Sequence, residues 1–147
     1  LGINLAVSGD LERQIHLVLR GVDWVTGFST LLERNGLCVQ NFESTYVIRD
    51  RYEGREGCQP EVTTELAVTR EWQGEPTNYD FVQADIREVF QLFTHQSELA
   101  FQFPEAVQAS ISFHLQGGSW EEAAATLLFV QDLEAEKKRK TWKIHAP

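Results

Sequence analysis

The side chains able to do acid–base or metal chemistry are few in this 147-residue chain, and their spacing suits neither task. The histidines are His16, His95, His114 and His145. None has a second ligand-type residue at the spacing a zinc site needs, so each reads best as a solvated or hydrogen-bonded imidazole. The acidic pairs Asp85/Glu88 and Glu121/Glu122 fall in first helical turns, where carboxylates complement the helix macrodipole. General acid–base catalysis needs opposed carboxylates in a cleft instead. Gly117-Gly118 stands between a strand pattern and a helix pattern, where a phosphate cradle would also stand. A turn requirement accounts for it equally well, because Gly21-Val22 is its counterpart in an internal repeat. Trp24 and Trp120 are candidate ligand platforms, but at helical spacing with leucines they read as core. No G-x-S-x-G, P-loop or dinucleotide fingerprint is present. The residues therefore point to a non-enzymatic protein with no catalytic, cofactor-binding or metal site.

Two cysteines remain, Cys38 and Cys58. Neither belongs to a C-x-x-C motif, which argues against zinc. They are close enough in sequence to pair in an oxidising compartment. The alternative is a buried free thiol at Cys38, which lies in an apolar strand pattern.

The formal net charge is −9. Charge speaks to solubility and partners rather than fold. An acidic chain is a poor nucleic-acid binder, because phosphate neutralisation supplies much of that affinity. Lys137-Lys138-Arg139-Lys140 is the exception, read as a solvated hairpin tip, with a nucleic-acid or anionic-lipid contact as the other reading. No apolar run approaches the ~18 residues of a membrane helix. The chain starts at Leu1 without a signal peptide, which suggests a processed chain or an internal piece.

These residues sit within a unit that occurs twice, and such repeats decide the fold reading. Leu1–Asp50 aligns without a gap onto Ser97–Ala146. Ile15, Leu19, Gly21, Trp24, Thr30, Leu31, Leu32, Thr45 and Ile48 recur as Ile111, Leu115, Gly117, Trp120, Thr126, Leu127, Leu128, Thr141 and Ile144. Units of about 70 residues bury a limited share of their surface, so the copies are expected to pack on each other or on neighbours.

Ile3–Val7 and Gln14–Arg20 alternate as half-buried strands do. Asp23 is a plausible N-cap. The helix after it carries Trp24, Phe28, Leu31 and Leu32 on one stripe and ends at Asn35-Gly36. Leu37–Gln40 and Thr45–Ile48 read as short strands. From Asp50 to Thr77, glycines and prolines punctuate a polar linker, within which Val62–Val68 alternates as one further strand. Tyr79–Gln83 is a strand. Asp85-Ile86-Arg87-Glu88 resembles a capping box before a helix that buries Ile86, Val89, Phe90 and Phe93. Leu99–Phe103 and Ser110–Leu115 are strands. Ser119-Trp120-Glu121-Glu122 is a second capping box, opening a helix that buries Trp120, Ala124, Leu127 and Leu128. Leu133–Glu136 and Thr141–His145 close the copy as a hairpin. The expected fold is α+β: two tandem small mixed-sheet domains of βαββαββ type, the first without its opening strand and helix. Their bounds are 1–50 and 78–147, with the linker at 51–77.

The run from Tyr79-Asp80-Phe81-Val82-Gln83-Ala84-Asp85-Ile86-Arg87-Glu88-Val89-Phe90 through Gly117-Gly118-Ser119-Trp120 to Leu128 resembles the short secretin/TonB N-terminal domain. That family shows an F-x-x-A-D-[IV]-R-x-V-[LF] start, a V-x-[LF]-x-L strand, an N-V-P-W-like turn and an A-L-x-x-[LI]-L helix. Gly21-Val22-Asp23-Trp24 is the first copy's version of the turn, and Asp23 and Ser119 replace its usual prolines. The resemblance implies a periplasmic module of an outer-membrane secretin of the type IV pilus, competence or type II secretion kind. Such a module forms part of the ring beneath the pore and docks inner-membrane platform or pilot proteins. The partners implied are other secretin subunits and those components, with membrane contact only through regions outside this piece. The alternative within the resemblance is the signalling domain of a TonB-dependent transporter, which contacts an anti-sigma regulator. A DNA-contacting domain of a competence secretin is a third reading, disfavoured by the chain's acidity.

Small mixed sheets leave open edges that can accept a strand from another chain. The candidate edges are Tyr79–Gln83 and Ser110–Leu115, and the candidate partner-binding residues are Tyr79, Phe81, Gln83, Ser110, Ser112 and His114.

Overall fold

The computed structural model describes residues 4–7, 24–62, 66 and 71–146. Eight strands and three α-helices lie among them, in two mixed sheets, an α+β architecture. The first copy contributes β1 (Leu5–Val7), α1 (Trp24–Arg34), β2 (Leu37–Phe42) and β3 (Thr45–Asp50). The second contributes β4 (Thr77–Asp85), α2 (Ile86–Ser97), β5 (Ala100–Gln102), β6 (Ser110–Gly118), α3 (Trp120–Val130), β7 (Glu134–Lys137) and β8 (Thr141–His145). That is the β-α-β-β-α-β-β order expected for it. The expected strand Gln14–Arg20, the Asp23 cap, His16 and most of Val62–Val68 fall outside the described residues.

Local chemistry sets the helix starts. The Asp85 carboxylate accepts a hydrogen bond from the Arg87 amide at 2.9 Å, filling one of the orphan donors of α2. The Ser119 hydroxyl does the same for the Glu122 amide at 3.4 Å in α3. Gly117-Gly118 closes β6 instead of forming a separate turn. Gly117 has φ +68°, a left-handed conformation that suits glycine. At Gly118 a Cβ would lie 2.3 Å from a Leu115 methyl, so the strand end and its own side chain leave no room for one.

α2 and α3 touch each other and lie between the sheets, α2 against β4 and β5, α3 against β6, β1 and β7. The buried faces are the expected ones: Ile86, Val89, Phe90 and Phe93 from α2, and Trp120, Ala124, Leu127 and Leu128 from α3. Ile111, Phe113 and Leu115 meet them from β6, and Trp142 and Ile144 from β8. Phe90 holds edge-on contacts with Phe93, Phe101 and Phe103 at centroid distances of 5.0, 5.1 and 4.9 Å. A second core lies on the other face of the larger sheet, where Leu32 of α1 meets Leu37, Val39, Tyr46, Ile48 and Val62.

The repeat is visible in the pairing. α1 and α3 both span 11 residues, and Trp24 maps onto Trp120 by a shift of 96. With the same shift, the parallel pair Leu5↔Tyr46 becomes Phe101↔Trp142. The antiparallel pair Leu37↔Asp50 becomes Leu133 and Ala146, one position outside the β7–β8 ladder, and Cys38↔Arg49 becomes Glu134↔His145. Each copy therefore builds the same three-stranded arrangement, β2-β3-β1 in the first and β7-β8-β5 in the second.

The copies then share a sheet. β1 pairs antiparallel with β6, giving the order β2-β3-β1-β6-β4. The expectation of an open edge at Ser110–Leu115 is thereby corrected. β6 is paired on both sides from Ser112 to His114, between β1 and β4, so Ser112 and His114 do not lie on an open edge, and Ser110 pairs with Asp85 of β4. Alternation reveals a strand but carries no information about a neighbour more than a hundred residues away.

Polar contacts fasten the same junction. The buried Arg49 guanidinium donates to the Phe129 and Val130 carbonyls, both at 3.0 Å, at the C-terminus of α3. Ser44 donates to the Glu122 carboxylate, and Arg55 binds Asp132 through both carboxylate oxygens. The Asn4 side chain accepts from the Gln116 amide at 2.8 Å. The composition of 51–77 reads as linker, yet its first part is held to β2. A disulfide joins Cys38 to Cys58 with Cα atoms 5.4 Å apart, and Gln59 bridges Val39.

Candidate partner-binding edge

β4 runs for nine residues and, among the described strands, pairs only with β6. Tyr79 and Phe81 turn inward from it, Tyr79 onto Phe93 at a centroid distance of 5.6 Å. Asn78, Asp80 and Val82 are exposed. The ladder holds Phe81 against Phe113, then breaks and resumes at Ala84 against Ile111. Two residues on β4 thus stand where β6 has one, a bulge. Gln83 takes the special conformation there, with φ +49°, and its amide donates to the Ser112 hydroxyl at 3.2 Å. The bulge leaves Val82 79% exposed, among the most exposed large apolar side chains of the described chain.

The other open edges are poorer. β5 has three residues, and β7 is the charged sequence Glu134-Ala135-Glu136-Lys137. The outer side of β2 is bridged by Gln59. Charged, short or bulged edges resist indiscriminate pairing. β4 combines length with one exposed apolar residue and with Asp80, so it is selective without being closed.

A cleft of about 490 Å³ adjoins the N-terminal half of β4, lined by Gly74, Glu75, Pro76, Thr77, Tyr79, Gln96 and Trp120. Tyr79 donates to Gln96 at 2.7 Å, and burial raises the phenol's pKa while that bond partly offsets the rise. Gly74 approaches the indole closely: at φ +109°, a Cβ there would be 2.5 Å from Trp120 Cδ1. Trp120 is buried, as its helical spacing implied, although it contributes to the lining of the cleft.

Of the six proposed partner-binding residues, Tyr79, Phe81 and Gln83 lie on the open strand, while Ser110, Ser112 and His114 lie on the interior one. His114 sits across from Asp80, Nδ1 to carboxylate 3.7 Å, an arrangement that orients both side chains on the solvent face. Val82 was missed. Its signal was the adjacent pair Phe81-Val82, which breaks alternation and forces one of the two outward. Among the described residues, no three His, Cys, Asp or Glu side chains come together as a metal-ligand group. What the arrangement can do is present backbone donors and acceptors to an extended segment, flanked by an apolar contact and a cleft. Comparison with protein-family models, with curated proteins and with solved structures finds no match to this chain.

Proposed function

We propose that this chain is a non-enzymatic, periplasmic protein-interaction module of an outer-membrane secretin, and that it docks other machine components through the β4 edge. The observation that carries the docking role is the nine-residue strand that, among the described strands, pairs only with β6, with Val82 exposed at its bulge. The secretin assignment rests on the motif residues. Asp85 and Ile86 of the A-D-I-R start cap and anchor α2. Arg87 of the same motif donates to the carbonyls of Pro104 and Val107, tying the loop before β6 to α2. The Cys38–Cys58 disulfide is compatible with the oxidising periplasm.

Reading the gene on both sides of this segment tests the assignment. A following region rich in secretin-type amphipathic hairpins is the expected result. A plug and long barrel pattern would assign a transporter signalling module instead, and a gene ending near Pro147 would remove both. The edge is tested separately by proline at Asn78, Asp80 and Val82 in turn, since proline removes one backbone donor. Partner capture should fall for at least one variant that stays folded; undiminished capture by all folded variants refutes the edge.

A further inference from the structure

The internal repeat supplies a worked example of how one surface of this unit is used. In the first copy, the free side of β1 takes β6 as an antiparallel neighbour, and the sheet face of Ala6, Thr45 and Val47 is buried. Ala6 and Val47 share the core of α3, Arg49 caps that helix, Phe42 stacks on Phe129 at 4.7 Å, and Ser44 bonds Glu122. The occupant is thus a strand followed by a helix, β6 and then α3.

A shift of 96 residues carries this surface onto the second copy. β1 becomes β5, which among the described strands pairs only with β8. Ala6, Thr45, Val47 and Arg49 become Gln102, Thr141, Lys143 and His145. Phe42 and Ser44 become Lys138 and Lys140. Gln102, Lys138, Lys140 and Lys143 are exposed. The geometry that holds a strand–helix unit is kept, whereas its apolar lining is replaced by charged and polar groups: Lys138, Lys140 and Lys143 outnumber Glu134 and Glu136 on the same face, and Glu136 lies 3.8 Å from Lys138. Polar linings suit reversible association, and the charge selects its partner. Lys138 and Lys140 stand where the first copy meets Phe129 and Glu122 of the docked helix. His145 stands where Arg49 reaches the last helix carbonyls, and an imidazole N–H can donate to such groups.

We propose that the β5 edge and outer face of the three-stranded sheet form a docking surface for a strand–helix unit of another domain, whose helix is acidic opposite Lys138 and Lys140. This inference does not depend on the secretin reading.

The test uses the intact, isotope-labelled chain and a synthetic peptide of residues 110–130 carrying Phe129→Glu, which keeps Glu122 and adds the second acid. Amide shifts should change along Ala100–Gln102 and Lys138–Lys143. The affinity should fall at least tenfold in K138E/K140E, and likewise when the peptide carries Phe129→Lys. Exposed tip substitutions leave the fold intact, which circular dichroism verifies. Absence of shifts at these residues, or affinity unchanged by charge reversal, overturns the proposal. Concentration-dependent dimerisation of the chain alone, abolished in K138E/K140E, would assign the surface to a second copy and overturn it as well.

Discussion

Replacing Arg49 with methionine removes the group that joins the two copies most deeply. Arg49 is 1% exposed, so its chemistry is carried out away from water. Its guanidinium supplies donors to the Phe129 and Val130 carbonyls and to the Gln40 side chain, and lies 5.4 Å from the Phe129 ring centroid. A cation at a helix C-terminus is also favoured by the macrodipole. A hydrogen bond to a charged group contributes roughly 1.5–3 kcal/mol, and an acceptor left unpaired in a buried site costs about 1–3 kcal/mol. Methionine fills similar volume but offers no donor, so two helix-end carbonyls lose their partner together. The bonds are coupled and their costs do not simply add, so the expected loss is about 2–4 kcal/mol, from helix-end acceptors left unpaired at about 1–3 kcal/mol each. That is a large part of the roughly 5–15 kcal/mol that stabilises a domain. Urea unfolding followed by far-ultraviolet dichroism and by tryptophan fluorescence gives the measurement. R49K should recover part of the loss, since it keeps the charge without the planar fork. The two probes should still coincide in R49K if the shared sheet makes one cooperative unit. A loss below about 1 kcal/mol in R49M would refute the reasoning, because buried capping bonds of this number cannot be so weak.

Reducing Cys38–Cys58, or replacing both with alanine, should lower stability by about 3 kcal/mol from loop entropy at a separation of 20 residues. Urea midpoints with and without reductant check this, and an unchanged midpoint would mean that the segment after β3 is held by other contacts. The Arg55 hydrogen bond holds the Asp132 carboxyl below its usual pKa, aided by the charges of Arg55 and Arg49 and opposed by partial burial. A depressed folded pKa gives stability that is present above the unfolded carboxylate value and lost as pH falls through the folded one. The pair is half exposed, so the effect is small. D132N should flatten the stability profile below about pH 4, where an unperturbed carboxylate titrates; an identical acid limb in D132N would remove Asp132 from the account.

Much of the second copy was legible in the residues alone. Helical spacing placed Ile86, Val89, Phe90 and Phe93 on one face, and Asp85 and Ser119 marked the helix starts, because periodicity and capping are local. The hairpin with its lysine-rich tip followed from alternation around a polar break. The 96-residue register, preserved from Leu5↔Tyr46 to Phe101↔Trp142, was already present as a gapless repeat. Tertiary structure decided what local patterns do not encode. It put β1 against β6, closing one expected edge and leaving β4 as the other. It also buried Arg49 against carbonyls eighty residues on, and brought Cys58 to Cys38. The physical reason is the same in each case. A strand's alternation fixes which side chains face the core, while its neighbours depend on which distant segment satisfies its remaining backbone donors and acceptors.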